Sequence, residues 1–502
     1  MEFWTMYFIN EHEIVLDQYD RLEPWAPYDH VIQLAMNFIK NCPIDEESGL
    51  PWYLVYSCFW IDPLRPTRWP DNPAGKFAWA VTTLLKYYPY SGDAQHIEIV
   101  RSMLDCLITQ RTPDKFDWGK APFASAEPGK GLYFGARADG AYVTEADKIA
   151  QAGRAFIDFY EMSGEEKYLQ AGQDCANVLL KHLKYGDEYN SPVPFRVSVR
   201  DGKVIEAYSA DMIQLIRLFA ELDRLGFDGY QGAIEQVWRW IEKYPLRNNF
   251  WKGYFEDIRI DPTNENRDQL SPLETARYLL HNHELDADWR SHVPALIEWV
   301  RKIFGATPFF SAIPIREQKY CFVVMGSHTA RFASLCANWY KISRDEIYYE
   351  MAVRALNWAS YMANEDGAVT VGVDRPDYYN QCWFTDGYFD YVPHFIDVMA
   401  SIPSLAPEDS DHMLESSTVI QKIEYGSKKI CYRTFDTTGC QLLKLSFTPR
   451  EVYCGTEKMA QSINTNSNGS WHFDPTSHLL TVRHKSAEVL ISGLEVETTS
   501  SV

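Results

Sequence analysis

Cysteine is present but unorganised: ten thiols are scattered along 502 residues, with no CxxC and no tight cluster. That spacing excludes a disulfide framework and a thiolate zinc site, and it predicts free buried thiols in a reducing compartment. Basic side chains are in deficit, 48 against 69 acidic, for a formal net charge of −21 and a pI near 5.1. Nucleic-acid binding needs clustered Lys and Arg to displace counter-ions, so no nucleic-acid partner is expected, although a local basic pocket is allowed. No stretch reaches the roughly 18 consecutive apolar residues of a membrane span, and residues 1–21 lack the basic start and apolar core of a secretory signal. The expectation is a soluble protein. GxSxG and HExxH are missing, and Gly129-x-Gly131 with Gly135 follows no strand and matches no phosphate fingerprint. His281 and His283 fall at i and i+2 of a helix and point apart, so neither a metal nor a cofactor is implied.

What the chain does have is apolar and aromatic mass, 46% and 15%, enough to build a core and exclude disorder. Apolar residues recur at helical spacing in twelve segments: 29–42, 73–89, 93–110, 145–163, 165–184, 208–225, 229–243, 272–284, 288–304, 327–341, 344–362 and 384–401. Their connections alternate in length. Long loops precede the even-numbered segments, whereas the turns that follow them are short and carry Gly or acids: Tyr90-Ser-Gly-Asp93, Met162-Ser-Gly-Glu165, Arg224-Leu-Gly-Phe227, Glu284-Leu-Asp-Ala287 and Ile342-Ser-Arg-Asp345. Short turns make antiparallel helix hairpins. Six hairpins at a loose period predict a mainly α, closed (α/α)6 ring, against the alternative of an open solenoid. The even helices are the more apolar, as Met212, Ile213, Leu215, Ile216, Leu218, Phe219 and Ala220 illustrate, and so form the inner ring. All long loops then gather at one pole. After a linker at 403–417, alternating segments separated by Gly, Asp, Asn and Pro predict a small C-terminal β-sandwich over 418–493, leaving 1–28 as an N-terminal extension, 29–402 as the toroid and 494–502 as a tail.

Polar residues at the N-terminal ends of the inner helices are either caps or catalytic groups. The candidates lie in Val143-Thr-Glu-Ala-Asp147, Tyr208-Ser-Ala-Asp211, Ser271-Pro-Leu-Glu274, Gly326-Ser-His-Thr-Ala-Arg331 and Trp383-Phe-Thr-Asp-Gly-Tyr388. Ser271 and Glu274 fit a capping box, and Thr144 fits a cap. Asp211 lies among apolar residues, where a carboxylate is costly unless it faces a wet cavity. Asp386 sits among Phe384, Tyr388 and Phe389, a setting that raises a carboxyl pKa. Glycosidic cleavage needs two carboxyl groups across the scissile bond, and this pole supplies Asp211 with Glu145 or Asp386. Arg65, Arg68, Arg137, Arg196, Arg277, Arg331 and Arg375 concentrate in or near the loops and offer forks for a sugar carboxylate or partners for structural ion pairs. Trp383, Tyr388 and Tyr208 add faces and hydroxyls suited to pyranose rings.

The hairpins, with turns such as Tyr160-Glu-Met-Ser-Gly-Glu-Glu-Lys-Tyr-Leu-Gln-Ala-Gly172, and the appended β region resemble the six-hairpin glycosidase-like toroids. The overall pattern is nearest to bacterial uronic-acid-acting glycosidases, the β-glucuronidases of glycoside hydrolase family 154 among them. The resemblance covers 29 to 490 as architecture, and its turn motifs report fold rather than chemistry. It implies a glycoside hydrolase acting on a uronic-acid-bearing (glucuronyl) oligosaccharide or polysaccharide, in the cytoplasm or periplasm of a bacterium. The expected acid and base are Asp211 with Glu145 or Asp386. Arg137, Arg277, Arg331 and His328 would hold the sugar, and Trp383, Tyr388 and Tyr208 would stack on it or bond to it. Two alternatives stand beside this reading. One is a polysaccharide lyase or sugar epimerase, in which His328 or Tyr208 removes the proton next to a carboxylate. The other is a noncatalytic glycan-binding protein. The oligomeric state is left open.

Overall fold

The computed structural model describes residues 8–67, 73–122, 142–253, 265–373, 380–463 and 469–494. Twelve long helices run along the first four-fifths of the chain: α1 (Tyr28–Lys40), α2 (Pro73–Ser91), α3 (Gln95–Thr109), α4 (Ala146–Ser163), α5 (Glu166–His182), α6 (Ile213–Arg224), α7 (Gln231–Ile241), α8 (Leu270–His281), α9 (Trp289–Phe304), α10 (Gly326–Ser343), α11 (Glu346–Ser360) and α12 (Val392–Ser401). Each even helix packs on the next, α2 on α4, α4 on α6, and so on to α12, which returns to α2. This closes the ring and overturns the open solenoid. The odd helices lie outside, each against its hairpin partner except α1, which packs on α12.

Local chemistry explains the hairpins. Gly164 takes the left-handed conformation at φ 73°, its N–H reaching Tyr160 O at 2.7 Å, and the chain reverses into α5. Close packing follows: a Cβ on Gly153 of α4 would meet Leu218 Cδ2 at 2.7 Å and Cys175 Cβ at 2.9 Å, so α4 reaches α5 and α6 only because that position has no side chain.

Three departures from the expected boundaries matter. Helix α6 begins at Ile213 rather than 208, because Tyr208–Asp211 runs as an approach segment whose Ala210 N–H bonds Lys252 O at 2.7 Å. The segment expected as one helix over 384–401 divides into a π-helical turn, Thr385–Phe389, and α12. The inner helices are not uniformly apolar either. Each carries a polar stripe at three- to four-residue spacing, such as Gln151, Arg154 and Asp158 on α4 or Gln214, Arg217 and Glu221 on α6, facing the barrel axis.

Beyond α12 the chain builds two five-stranded sheets. Strands 420–426, 429–434, 488–492, 451–454 and 457–458 adjoin in that order in one, and 460–461, 470–474, 479–484, 439–444 and 412–416 in the other. Tyr432 of the first donates its hydroxyl to Gln441 Oε1 of the second at 3.0 Å. Strand His412–Ser416 occupies the stretch expected as a linker. The sheets sit on the short-turn pole: Ile423 N–H donates to Tyr88 Oη at 3.1 Å, and Gln421 Nε2 to Glu161 O at 2.7 Å. The N-terminal segment is tied to α11, where Asn357 Nδ2 donates to Leu22 O at 2.7 Å. No described helix is long and apolar enough to cross a membrane.

Candidate active site

Two clusters of buried ionisable groups occupy the loop pole. The first spans α4, α6 and α8. Antiparallel pairing of strands Val143–Glu145 and Arg196–Ser198 places Glu145 opposite Arg196, and Arg196 Nε donates to Glu145 Oε1 at 2.9 Å. Lys148 Nζ lies 2.6 Å from Asp147 Oδ2 and 3.5 Å from Glu145 Oε2, with all three residues fully buried. Next to them Asp211 is also fully buried. Its Oδ1 accepts from Gln214 Nε2 at 3.2 Å, and its Oδ2 has no hydrogen-bond partner among the described residues. Burial first, and the charge of Asp147 second, push the Asp211 carboxyl well above the ordinary carboxylate range, with Lys148 opposing only in part. Asp268 completes the set. Its Oδ1 accepts from Ser271 N–H at 2.7 Å, and burial nevertheless raises its carboxyl to about 7.

Two expected caps are corrected by the structure. Ser271 lies inside α8, which starts at Leu270 after Gln269, and its N–H is taken by Asp268, so Glu274 belongs to no capping box and lines the barrel instead. Thr144 Oγ1 donates to Pro122 O at 3.2 Å and caps nothing.

The second cluster spans α10, the π-helical turn and the start of α12. His328, Asp386 and Asp390 each bring one ligand-type atom within 4.8 Å of the others. Burial lowers the His328 imidazole to about 3, outweighing the Asp390 charge 3.8 Å away, so the ring is neutral at physiological pH. Asp390 is held ionised, at about 2: burial opposes this, but Arg331 and His394 prevail. His394 Nε2 faces Asp390 Oδ1 at 3.0 Å, and Nδ1 faces Ser334 Oγ at 3.1 Å, an arrangement that fits a neutral ring donating to the carboxylate and accepting from the hydroxyl. Arg331 reaches Asp390 with one nitrogen and Glu274 with another, its guanidinium 4.6 Å from the Trp79 ring centroid.

Comparison of the whole fold with solved structures decides the architecture. The chain has the (α/α)6 toroid fold. It is similar to cellobiose 2-epimerase from Spirochaeta thermophila (TM-score 0.57, 12% identity, covering 76% of this chain and 97% of that one). It is likewise similar to a D-mannose isomerase (0.55, 13%, 74% and 97%) and to a family 76 glycoside hydrolase from a bovine Bacteroides thetaiotaomicron strain (0.50, 11%, 75% and 78%). No protein-family model and no curated protein matches the sequence.

Within the toroid the expected site residues separate. Asp211, Glu145, His328 and Asp386 all lie at the inner-helix N-termini, but Glu145 is held by two cations. Arg277 does not face the pole: it lies a turn deeper, donating to Glu274 Oε1 at 3.2 Å, Ser334 Oγ at 2.7 Å and Asp397 Oδ2 at 3.3 Å. Arg331 is fully buried between two carboxylates. Tyr388 is buried against Phe38 and spends its hydroxyl on Gly367 O and Val369 N. Tyr208 donates to Phe250 O at 3.0 Å and packs on Trp240. The two tyrosines are therefore packing groups, because aromatic rings beside the inner helices fill the gap between the two rings of helices. Trp383 stays half-buried in strand Gln381–Trp383, paired with Cys58. Arg137, like Arg68 and Arg375, lies outside the described residues. Sequence reasoning overlooked Asp268, Asp390 and His394. The i, i+4, i+8 spacing of Asp386, Asp390 and His394 was the available signal.

Proposed function

We propose that this chain is a carbohydrate-active enzyme working at the loop pole of its toroid, a glycoside hydrolase with Asp211 as general acid. The observation carrying this reading is the Asp211 carboxyl. It is buried beside a second carboxylate, which pushes it well above the ordinary carboxylate range and so toward the protonated form, and it is hydrogen-bonded through one oxygen while the other has no partner among the described residues. A proton donor for a glycosidic oxygen needs that state. Asp268 or Asp386 would supply the second carboxyl, as base or nucleophile. Trp383 offers a half-exposed face to a pyranose. The narrower form of the proposal, a glucuronyl substrate, rests on Arg137, since Arg277 and Arg331 are already engaged by carboxylates. We also propose the division into a toroid over 29–402 and a β-sandwich, the latter expected over 418–493 and here starting with the strand His412–Ser416, a division that the hydrogen bond between the two C-terminal sheets supports.

A second reading, sugar epimerisation or isomerisation, is favoured by a different observation. His328 is a neutral imidazole beside Asp386 and Asp390, suited to taking a proton from a carbon next to a carbonyl. One screen separates the two. Aryl glycosides of neutral and uronic sugars are incubated with the protein, anomers are followed by NMR, and free sugars are incubated in deuterated water. Hydrolysis abolished by Asp211→Asn supports the first reading. Deuterium at the carbon next to the carbonyl, abolished by His328→Gln and retained in Asp211→Asn, replaces it with the second. An unsaturated, ultraviolet-absorbing product indicates a lyase. Glycan binding without turnover indicates a binding protein.

A further inference from the structure

The end of the barrel opposite the catalytic candidates is hollow. A cavity of 420 Å³ runs along the axis past Gln151, Gln214 and Tyr278, and a second of 470 Å³ continues it to the C-terminal sheets, where 413–420 and Asp436 form the floor. The two share Thr82, Lys86, Arg154, Asp158, Asn338 and Asp397 on their walls. Neither is lined by Asp147, Asp211, Asp268, His328, Asp386 or Asp390, and His394 of the second cluster borders the first cavity. The layer between is Gln214, which touches Asp211 on one side and the cavity on the other.

We propose that this lower chamber is a second binding site, for a small neutral polyol of monosaccharide size. Three observations carry it. The first is volume: each part falls within the roughly 300–1,000 Å³ usual for small-molecule sites. The second is charge. Every Lys and Arg on the walls already has an acid: Lys86 has Asp397, Arg154 has Asp158 and Glu221, Arg217 has Glu274, Arg277 has Glu274 and Asp397, Arg224 has Glu161, and Lys341 has Glu415. An anion or a cation would have to break these pairs, whereas a neutral hydroxyl can donate to their remaining carboxylate lone pairs and accept from their remaining N–H groups. The third is Gln151. It is 7% exposed and lines the chamber, and neither of its amide atoms has a hydrogen-bond partner among the described residues. A buried amide left with both ends open is costly, and a hydroxyl group bonds both its oxygen and its nitrogen. The half-buried Tyr278 ring supplies an apolar face.

The test uses the full chain with D-glucose and, separately, inorganic phosphate, read by hydrogen exchange and calorimetry. D-Glucose is expected to slow exchange in peptides covering 397–401 and 413–420. Ala400→Trp, which fills the chamber, is expected to remove that protection and weaken the corresponding binding by about tenfold or more. Asn338→Leu, which removes a polar wall without adding bulk, gives the same comparison if Ala400→Trp does not fold. Protection confined to 145–147, 208–214 and 266–271, no protection at all, or tighter binding of phosphate than of D-glucose overturns the proposal. The outcome is separable from the catalytic reading: Asp211→Asn is expected to keep the lower protection in full, and Ala400→Trp to keep turnover.

Discussion

Asp211, just before α6, and Glu274, on the neighbouring α8, are both essentially inaccessible to solvent, and they are driven in opposite directions. Asp211 has Asp147 and Asp268 near it and one amide donor, and its carboxyl is pushed well up, by burial foremost. Glu274 suffers the same burial, yet Arg331, Arg217 and Arg277 hold it well below the ordinary range. Burial is common to both, so the counter-ion decides. Within one barrel, then, Asp211 stands in a crowded set of acids with a single amide donor, whereas Glu274 is held by three guanidinium groups.

The same amide substitution at the two positions tests this contrast. Asp211→Asn is expected to lower turnover by about 10²- to 10⁴-fold while leaving the thermal midpoint unchanged or higher, since the amide removes a carboxyl that burial and the neighbouring Asp147 already disfavour as an anion. Steady-state rates and calorimetry on one preparation read both. Glu274→Gln is expected to cost about 3–5 kcal/mol in denaturant unfolding, because it leaves three guanidinium groups around a neutral amide. Equal stability losses in the two variants would erase the distinction.

The pH dependence sharpens it further. Glu274 titrates lower in the folded chain than in the unfolded one, so its contribution is present above its unfolded value of about 4.3 and is lost as pH falls. Asp268 behaves oppositely. Its folded carboxyl titrates at about 7. Stability therefore declines as pH rises from its unfolded value of about 3.9, by at most about 1.4 kcal/mol per pH unit, and levels off once the folded carboxyl has ionised. Asp268→Asn is expected to flatten that slope, and unfolding midpoints across the range measure it. An unchanged slope would remove Asp268 from the crowded set.

Much of this was legible in the residues. The alternation of long and short connections located the hairpins, and helix order alone put Asp211, Glu145, His328 and Asp386 at the N-terminal ends of the inner helices, where the structure has them. What failed did so for one reason. Arg277, Tyr208 and Tyr388 share that pole's helices or approaches, but a side chain at a helix start can face the axis, a neighbour or the outer ring, and spacing does not say which once the helix boundary shifts by a few residues. Asp268 was missed because the true start of α8 precedes the Ser-Pro pair that imitates a start. The polar stripe was missed because charged residues at helical spacing look the same facing solvent and facing an axial channel.

By itself the sequence determined a ring of six hairpins and a following run of strands, because periodicity, turn glycines and loop lengths are local properties. Which acids stand unpaired and which are held by arginine was decided only when α4, α6, α8, α10 and α12 converged on one axis. The pKa of a buried carboxyl depends on charges brought from other helices within a few ångströms, and no local pattern encodes that distance.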